Sequence, residues 1–478
     1  MAYLAQGSRG RGKVLIDEGF KYQKNKATNT SFLWKCWRKS CSAKLKSNVF
    51  ELDAPQPGIV IIEKGMHNHE ADDEVIQRAA FVNGVKQRIS EDPTRPIKRV
   101  YDNHVANAHR VVARQGGGDR PPVVPDFGSV RTQLARSRAA YIPPVPHSVE
   151  DVIIDDVWKE TWRGQRLVLH QDNEWGFIIF ATRRNIEAMV RCRQLYVDST
   201  FRTSPAPYAQ IFNVLGDFHG RVLPFVTAFM AHRTVGHYRQ VIRRIKRAVL
   251  RYCERDWQPD AVVMDFEQAL ITAVETELPL ARLEGCYFHF NQALWRHIQE
   301  LGLVRGYRDD DELRTLLRQV MALGFLPTAL VRNNFRLLRT SRHTRTLIRR
   351  YPSVMDFLTY VQNTYVDGNF RIPMWNVFER NMSCRTNNNA ESFHQAWNRR
   401  VGVRHPNLWM AIRHLKDLQA ATESGIRAMQ RGTGQPTRRA RRWRSLEDRL
   451  VNLKGEYTRG DRSLEEYWRA VAHVVHHF

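Results

Sequence analysis

Short apolar runs broken by turn residues open the chain. VLI, SFLWKCW, SAKLKS and GIVIIEK are rich in Val, Ile and aromatics, and Asn29, Asn48 and the Pro55–Gly58 stretch separate them. That spacing predicts a small antiparallel β module over 14–70. So short a module buries little apolar surface, so a metal staple is expected in it. The period then changes. Val75, Ile76, Ala79, Ala80 and Val82 recur at helical spacing behind an acidic start, which predicts helix over 72–112. The Gly/Pro-rich run at 115–130 breaks it, a short basic segment follows, and Pro143, Pro144 and Pro146 close a helical DNA-contact or linker region, 71–145.

Residues 165–305 carry the most regular pattern. RLVLHQ and WGFIIFA read as strands, RNIEAMVRC as a short helix, and RQLYVDSTF, QIFNVLGDF and VLPFVTAFMA as three more strands. HYRQVIRRIKRAVLRYC places Val241, Ile242, Ile245, Ala248 and Val249 on one side of an amphipathic helix. AVVMD reads as a buried strand, EQALITAVETEL as a helix, GCYFHF as a strand and NQALWRHIQELG as a helix. Meandering strands followed by crossover units predict an α/β fold, a mixed sheet with helices on both faces in the RNase H-like order. A helical insertion, 306–385, follows, with Leu313, Leu316, Leu317 and Val320 on one face of its first helix. Residues 386–425 would complete the core. Residues 426–478 read as a basic Gly/Pro-containing loop and a C-terminal helix opened by a Ser463/Glu466 capping box.

Charge narrows the partner. The 478 residues hold 74 Lys plus Arg against 49 Asp plus Glu, a net +25. A polyanion, double-stranded DNA above all, is the natural complement. No apolar run reaches the roughly 18 residues of a membrane span, so no membrane partner is expected. The N-terminal segment lacks an apolar stretch behind its basic residues, so no secretory signal is expected either. Six sparse Cys suit metal binding better than a disulfide framework.

Two groups of residues could carry chemistry. Cys36 and Cys41, then His67 and His69, supply two thiolates and two imidazoles, the donor set of a closed tetrahedral Zn2+ site. The long gap between the pairs would hold a hairpin. Against this stands the bland alternative of a buried Cys36, a free Cys41 and two surface histidines. Separately, Asp198 closes RQLYVD and Asp265 closes AVVMD. Ligands gather beyond the carboxyl ends of strands in open sheets. Two like charges meeting there need a cation such as Mg2+ or Mn2+. A third carboxylate would complete a two-metal site, and Glu391, in the first turn of a helix beginning near Ala390, fits; Glu267 is its rival. Taken singly, strand-end Asp residues are more often turn formers.

Both groups sit in motifs that resemble known families. Phe20, Tyr22, LWKC at 33–36, CSA at 41–43 and HNH at 67–69 resemble the FLYWCH zinc finger, which implies zinc binding and contact with DNA or protein. VDSTF at 197–201, MDFEQALITAV at 264–274, GCYFHFNQALWRHIQELGL at 285–303 and RTNNNAESFH at 385–394 resemble the MULE (Mutator-like element) transposase domain, over about 165 to 420. That resemblance implies an RNase H-like core whose acidic triad falls on Asp198, Asp265 and Glu391, and a Cys–x2–His signature on Cys286 and His289. Ser199 stands where Gly is commoner in the family, and no further Cys/His cluster follows the domain. On this reading the chain is a nuclear transposase acting at transposon ends, with a homo-oligomer on DNA compatible with it. A domesticated, catalytically silent DNA-binding regulator is the alternative, and an RNase H-like nuclease acting on RNA is a third. Cys286 and His289 fall on opposite faces if their strand is regular, so packing competes with an active-site role. Arg438, Arg439, Arg441, Arg442 and Arg444 suit phosphate contact or nuclear import.

Overall fold

The computed structural model describes residues 2–6, 13–49, 58–114, 121–380, 388–436 and 441–475. They form two units, Met1–Val145 and Pro146–Phe478.

The first unit opens with six antiparallel strands in sequence order: β1 (Tyr3–Gln6), β2 (Lys13–Asp17), β3 (Phe20–Ala27), β4 (Ser31–Cys36), β5 (Lys44–Asn48) and β6 (Ile61–Lys64). Register shifts in β3–β4 and β5–β6 help curl the sheet. Leu15, Tyr22, Phe32, Trp34 and Leu45 form its core, and the Trp34 indole N–H donates to Ser47 Oγ at 2.9 Å. Glu18 (φ 44°) and Gly19 (φ 87°) make the tight β2–β3 turn. Gly19 is required on a second count, because a Cβ there would sit 2.4 Å from that of Ala71.

Three helices follow: Asp73–Glu91, Ile97–Arg114 and Phe127–Ala139. The stretch expected to be helical over 72–112 consists of the first two of these helices. Pro93 and Pro96 lie in the break, since proline cannot donate to the turn before it. The basic segment after the Gly/Pro run is the third helix. Phe81, Val85, Ile89, Val100, Tyr101, Val130 and Leu134 pack the three together.

The second unit is built on a seven-stranded mixed sheet with flanking helices. Its strands are β7 (Val168–Asp172), β8 (Phe177–Phe180), β9 (Gln194–Thr200), β10 (Gln210–Phe218), β11 (Arg221–Met230), β12 (Ala261–Met264) and β13 (Arg282–Gly285). Their order is β13-β12-β9-β10-β11-β8-β7. β9, β10 and β11 form an antiparallel meander, whereas β12 joins β9 and β13 joins β12 in parallel. The parallel joins follow from the Val235–Cys253 and Gln268–Glu277 helices, which carry the chain back across one face. Leu195, Val197, Phe212 and Val214 pack on that face with Val241, Ile245, Leu270 and Val274. On the other face Ile178, Phe180, Ile211 and Phe229 meet Trp409, Ile412 and Leu415 of the Leu408–Gln430 helix.

Two local differences from the sequence reading bear on function. GCYFHF is not a strand: β13 ends at Gly285, Cys286 is the N-cap residue, and a helix runs Tyr287–Glu300. The basic segment before the last helix is also shorter than expected, because helix reaches Gln430 and resumes at Arg441. The Arg441–Arg459 and Leu464–Val474 helices join the core of the inserted helices, with Leu446, Leu450 and Tyr467 among Leu313, Leu316 and Leu317. The Ser463/Glu466 capping box is present. No helix among the described residues is long and apolar enough to cross a membrane.

Candidate functional sites

The curled sheet brings Cys36, Cys41, His67 and His69 together. Cys36 ends β4, Cys41 lies in the turn to β5, and both histidines follow β6, so neighbouring strands deliver every donor. Cys36 Sγ is 3.3 Å from His69 Nε2, Cys41 Sγ is 3.3 Å from His67 Nδ1, and these two nitrogens are 3.2 Å apart. Tetrahedral zinc with bonds of about 2.1–2.3 Å places its ligands roughly 3.4–3.7 Å from one another. The remaining ring nitrogens are held from outside. His67 Nε2 meets the Tyr22 hydroxyl at 2.7 Å, and His69 Nδ1–H donates to the Glu70 carbonyl at 2.8 Å. Such contacts fix the tautomers that leave the inward nitrogens free for a metal. Phe20 stacks on His67 with centroids 3.7 Å apart. The Cys41 thiol lies below its ordinary value: burial alone would raise it, but the Asn68 and Ala43 backbone N–H groups and Arg38 outweigh burial. Burial keeps His67 low, the neutral form a metal needs. The cluster is therefore consistent with a zinc-binding finger.

The second constellation lies at the carboxyl ends of β9 and β12. Asp198, near the end of β9, and Asp265, directly after β12, line one cleft of about 680 Å³ with Phe201, Arg233, Glu267, His289 and Arg296. The N-cap position of Cys286 puts His289 one helical turn along, on the same side as Cys286, so both face the site. His289 Nδ1 is ion-paired with Asp265 Oδ1, and its Nε2 lies 3.6 Å from Glu391 Oε1. Glu391 comes from the Asn388–Val401 helix, whose Ala390 packs on Tyr196, Val263 and Cys286. One imidazole thus joins acids far apart in sequence.

Asp198 is held by a chain that the sequence reading missed. Thr227 donates to Asn213 Oδ1 at 2.9 Å, which orients the Asn213 amide, and its nitrogen faces His394 Nε2 at 3.1 Å. Nε2 is then the acceptor, so Nδ1 carries the proton and points at Asp198 Oδ2, 3.3 Å away. Burial, the largest influence, pushes His394 down to about 4, in keeping with a neutral donor. The sequence signals were its place one helical turn after Glu391 and at the end of the RTNNNAESFH motif.

Charge crowding marks the site. Burial first, and the Asp265 charge second, push the Asp198 carboxyl up to about 7. Burial raises Glu391, with His289 opposing and Asp265 adding to it. Burial would lower His289, but pairing with Asp265 and the nearby Cys286 thiol push it up to about 11. Glu267 also lines the cleft, but its carboxylate is engaged by the Tyr238 hydroxyl, 3.0 and 3.1 Å from its two oxygens. Between the rival third acids, Glu391 is the one that meets the Asp265–His289 pair. Among the described residues the buried Glu391 Oε1 accepts no hydrogen bond, its contact with His289 being 3.6 Å long.

Among the five basic-run residues, Arg438 and Arg439 lie outside the described residues. Arg441 and Arg442 open the Arg441–Arg459 helix, and Arg444 is exposed on it.

Residues 194–293 match the family model of the MULE transposase domain. The chain thus carries a MULE-like domain over about 100 of its 478 residues. The matched segment contains Asp198, Asp265, Cys286 and His289, and Glu391 lies beyond it. No curated protein matches the chain. Together the partial match and the Cys/His cluster support a DNA-binding protein of transposase type in general terms.

Proposed function

We propose that the second unit is an RNase H-like DNA-cutting and joining domain, dependent on Mg2+ or Mn2+, and that the Cys36/Cys41/His67/His69 module is a FLYWCH-type DNA-contact finger. One observation carries the reading. Asp198 and Asp265 line one cleft at the ends of adjacent parallel strands within the MULE-like segment, and Glu391, from a helix well beyond that segment, reaches His289, the ion-pair partner of Asp265.

A divalent ion held by these carboxylates would activate water or a 3′-hydroxyl and stabilise the leaving oxygen at phosphorus. The chain's own residues do the rest. His394 and Asn213 hold Asp198 in one orientation. Arg233 and Arg296, on the rim of the cleft, would bind phosphate beside the acids. The exposed Phe201 ring, with the Arg233 guanidinium 4.8 Å from its centroid, offers a flat face to an unstacked base. The +25 net charge and the Arg438–Arg444 run would supply most of the affinity, and the run would direct the chain to the nucleus. Action at transposon ends, as a homo-oligomer on DNA, belongs to the same reading.

The test is strand cleavage with Mg2+ or Mn2+ on DNA carrying the element's own ends. Asp198→Asn should lower the rate by about 10³-fold or more and leave DNA affinity within about twofold. Unchanged cleavage by that variant removes Asp198 from the mechanism. One feature favours the alternative of a silent DNA-binding regulator: His289 pairs with Asp265 and lies 3.6 Å from Glu391, so a histidine cation already stands between the two acids. DNA binding without cleavage by the natural chain, in either metal, would select that alternative.

A further inference from the structure

The acids of the second site do not stand alone. Cys286, His289 and Glu391 each present one ligand atom, and all three atoms lie within 4.8 Å of one another. A thiol and an imidazole are poor partners for Mg2+, which prefers oxygen in octahedral array. They are ordinary partners for zinc, and three protein ligands with an open fourth position is a common zinc arrangement.

The geometry agrees in detail. His289 Nε2 and Glu391 Oε1 are 3.6 Å apart, near the roughly 3.4 Å expected of two ligands on one tetrahedral zinc. The other ring nitrogen, Nδ1, faces Asp265 Oδ1. A carboxylate behind the non-ligating nitrogen is the usual support of a metal-bound histidine, because it fixes the ring and makes it a better donor. Glu391 Oε1 is buried and accepts no hydrogen bond, so an ion would satisfy it. The thiol is buried beside Tyr196, Val263 and Ala390, held by the same packing that positions Glu391.

We propose that Cys286, His289 and Glu391 form a zinc-class site, with Asp265 as the orienting carboxylate, that competes with the oxygen-liganded ion of the cleavage reaction. Zinc bound there takes Glu391 and keeps Asp265 turned toward the imidazole. Strand cleavage would then be throttled by a borderline-soft ion. That inhibitory consequence rests on the cleavage reading above, whereas zinc binding itself does not.

The experiment measures zinc per chain on the full-length protein after dialysis, then cleavage with and without added zinc. Cys286→Ala should lower bound zinc by about one ion per chain, because it removes one of three protein ligands. Should that variant lose its fold by circular dichroism, His289→Gln provides the same reading. Replacing zinc by Co2+ should give a sulfur-to-cobalt charge-transfer band that weakens in Cys286→Ala. Micromolar zinc should slow Mg2+-dependent cleavage of the natural chain by at least about tenfold, and Cys286→Ala should relieve it. Zinc content unchanged by both substitutions overturns the site even if Mg2+ cleavage is robust. A loss of one ion in a chain that never cleaves DNA supports the site and sinks the cleavage reading alone.

Discussion

The two candidate sites are assembled in opposite ways. In the curled sheet, the donors come from β4, the β4–β5 turn and the segment after β6, so adjacent strands place all four. The outer nitrogens of both histidines are occupied, and the sulfurs and inner nitrogens converge. This is a closed donor set, which suits a structural ion. In the mixed sheet, Asp198 of β9 and Asp265 at the end of β12 line an open cleft, and Glu391, from a helix more than a hundred residues later, approaches it through His289. One buried oxygen of Glu391 lacks a donor among the described residues, and His289 stands between Glu391 and Asp265. An open, charge-crowded arrangement suits exchange of ions and substrate. A small module has little apolar surface to bury and is the one expected to lean on a metal for its fold, whereas the large unit buries extensive apolar clusters of its own.

Chelation should break this comparison most sharply. Treating the full chain with a strong chelator should abolish amide protection over residues 14–49, because a small metal domain draws most of its folding free energy from the ion, on the order of 10 kcal/mol. Protection of β9–β12 should persist. Equal loss in both units, followed by hydrogen exchange, would show that the second unit also depends on a metal.

The next largest effect separates the two uses of histidine. His394→Ala should slow cleavage by about 10- to 100-fold while the protein stays folded, because it removes the donor that orients Asp198. Glu391→Gln in the same assay should be at least as damaging, and Glu267→Gln much less so. A Glu267 variant as inactive as the Glu391 variant would reverse the choice of third acid.

A smaller effect probes the closed site from outside. Tyr22→Phe removes the hydroxyl on His67 Nε2 and should weaken zinc by about tenfold, as read by competition with a metallochromic chelator. Unchanged affinity would mean that Tyr22 serves only the core.

The smallest concerns the scaffold of the open site. The Gln268–Glu277 helix begins just after Asp265, and Glu277 at its far end accepts from Arg239 Nε at 2.7 Å and Arg243 Nε at 3.0 Å. Burial alone would raise its carboxyl, but the two guanidinium bonds win and hold it below its ordinary value. A depressed folded value means stability that is complete above an unfolded Glu pKa of about 4.3 and lost as pH falls through the folded one. The arginines are more than a third exposed, so the contribution is discounted for screening to about 1 kcal/mol or less. Thermal melts should show Glu277→Gln less stable than the natural chain at pH 7, with the gap closing below pH 4.

Much of this was legible because the signals are local. AVVM, apolar throughout and followed by Asp265, is a strand buried at all four of its positions, and the Val241/Ile242/Ile245 stripe is the buried side of its helix. The paired Cys and His residues announced their donor set by type and order. GCYFHF misled because a short unbroken apolar run carries neither period, so strand and helix start look alike. The turn after β13 then decided that Cys286 and His289 share a side.

The sequence by itself determined which donors exist, where the apolar stripes run and which acids end strands, since these depend on residue type and short-range period. Only the tertiary structure decided that Glu391 rather than Glu267 meets the Asp265–His289 pair, that His394 holds Asp198, and that the last two helices complete the core of the inserted ones. Those are contacts between segments up to hundreds of residues apart, set by how faces pack once the sheet exists. No local pattern encodes such a meeting, because its stabilisation comes from burying partners that the chain brings together only in the folded state.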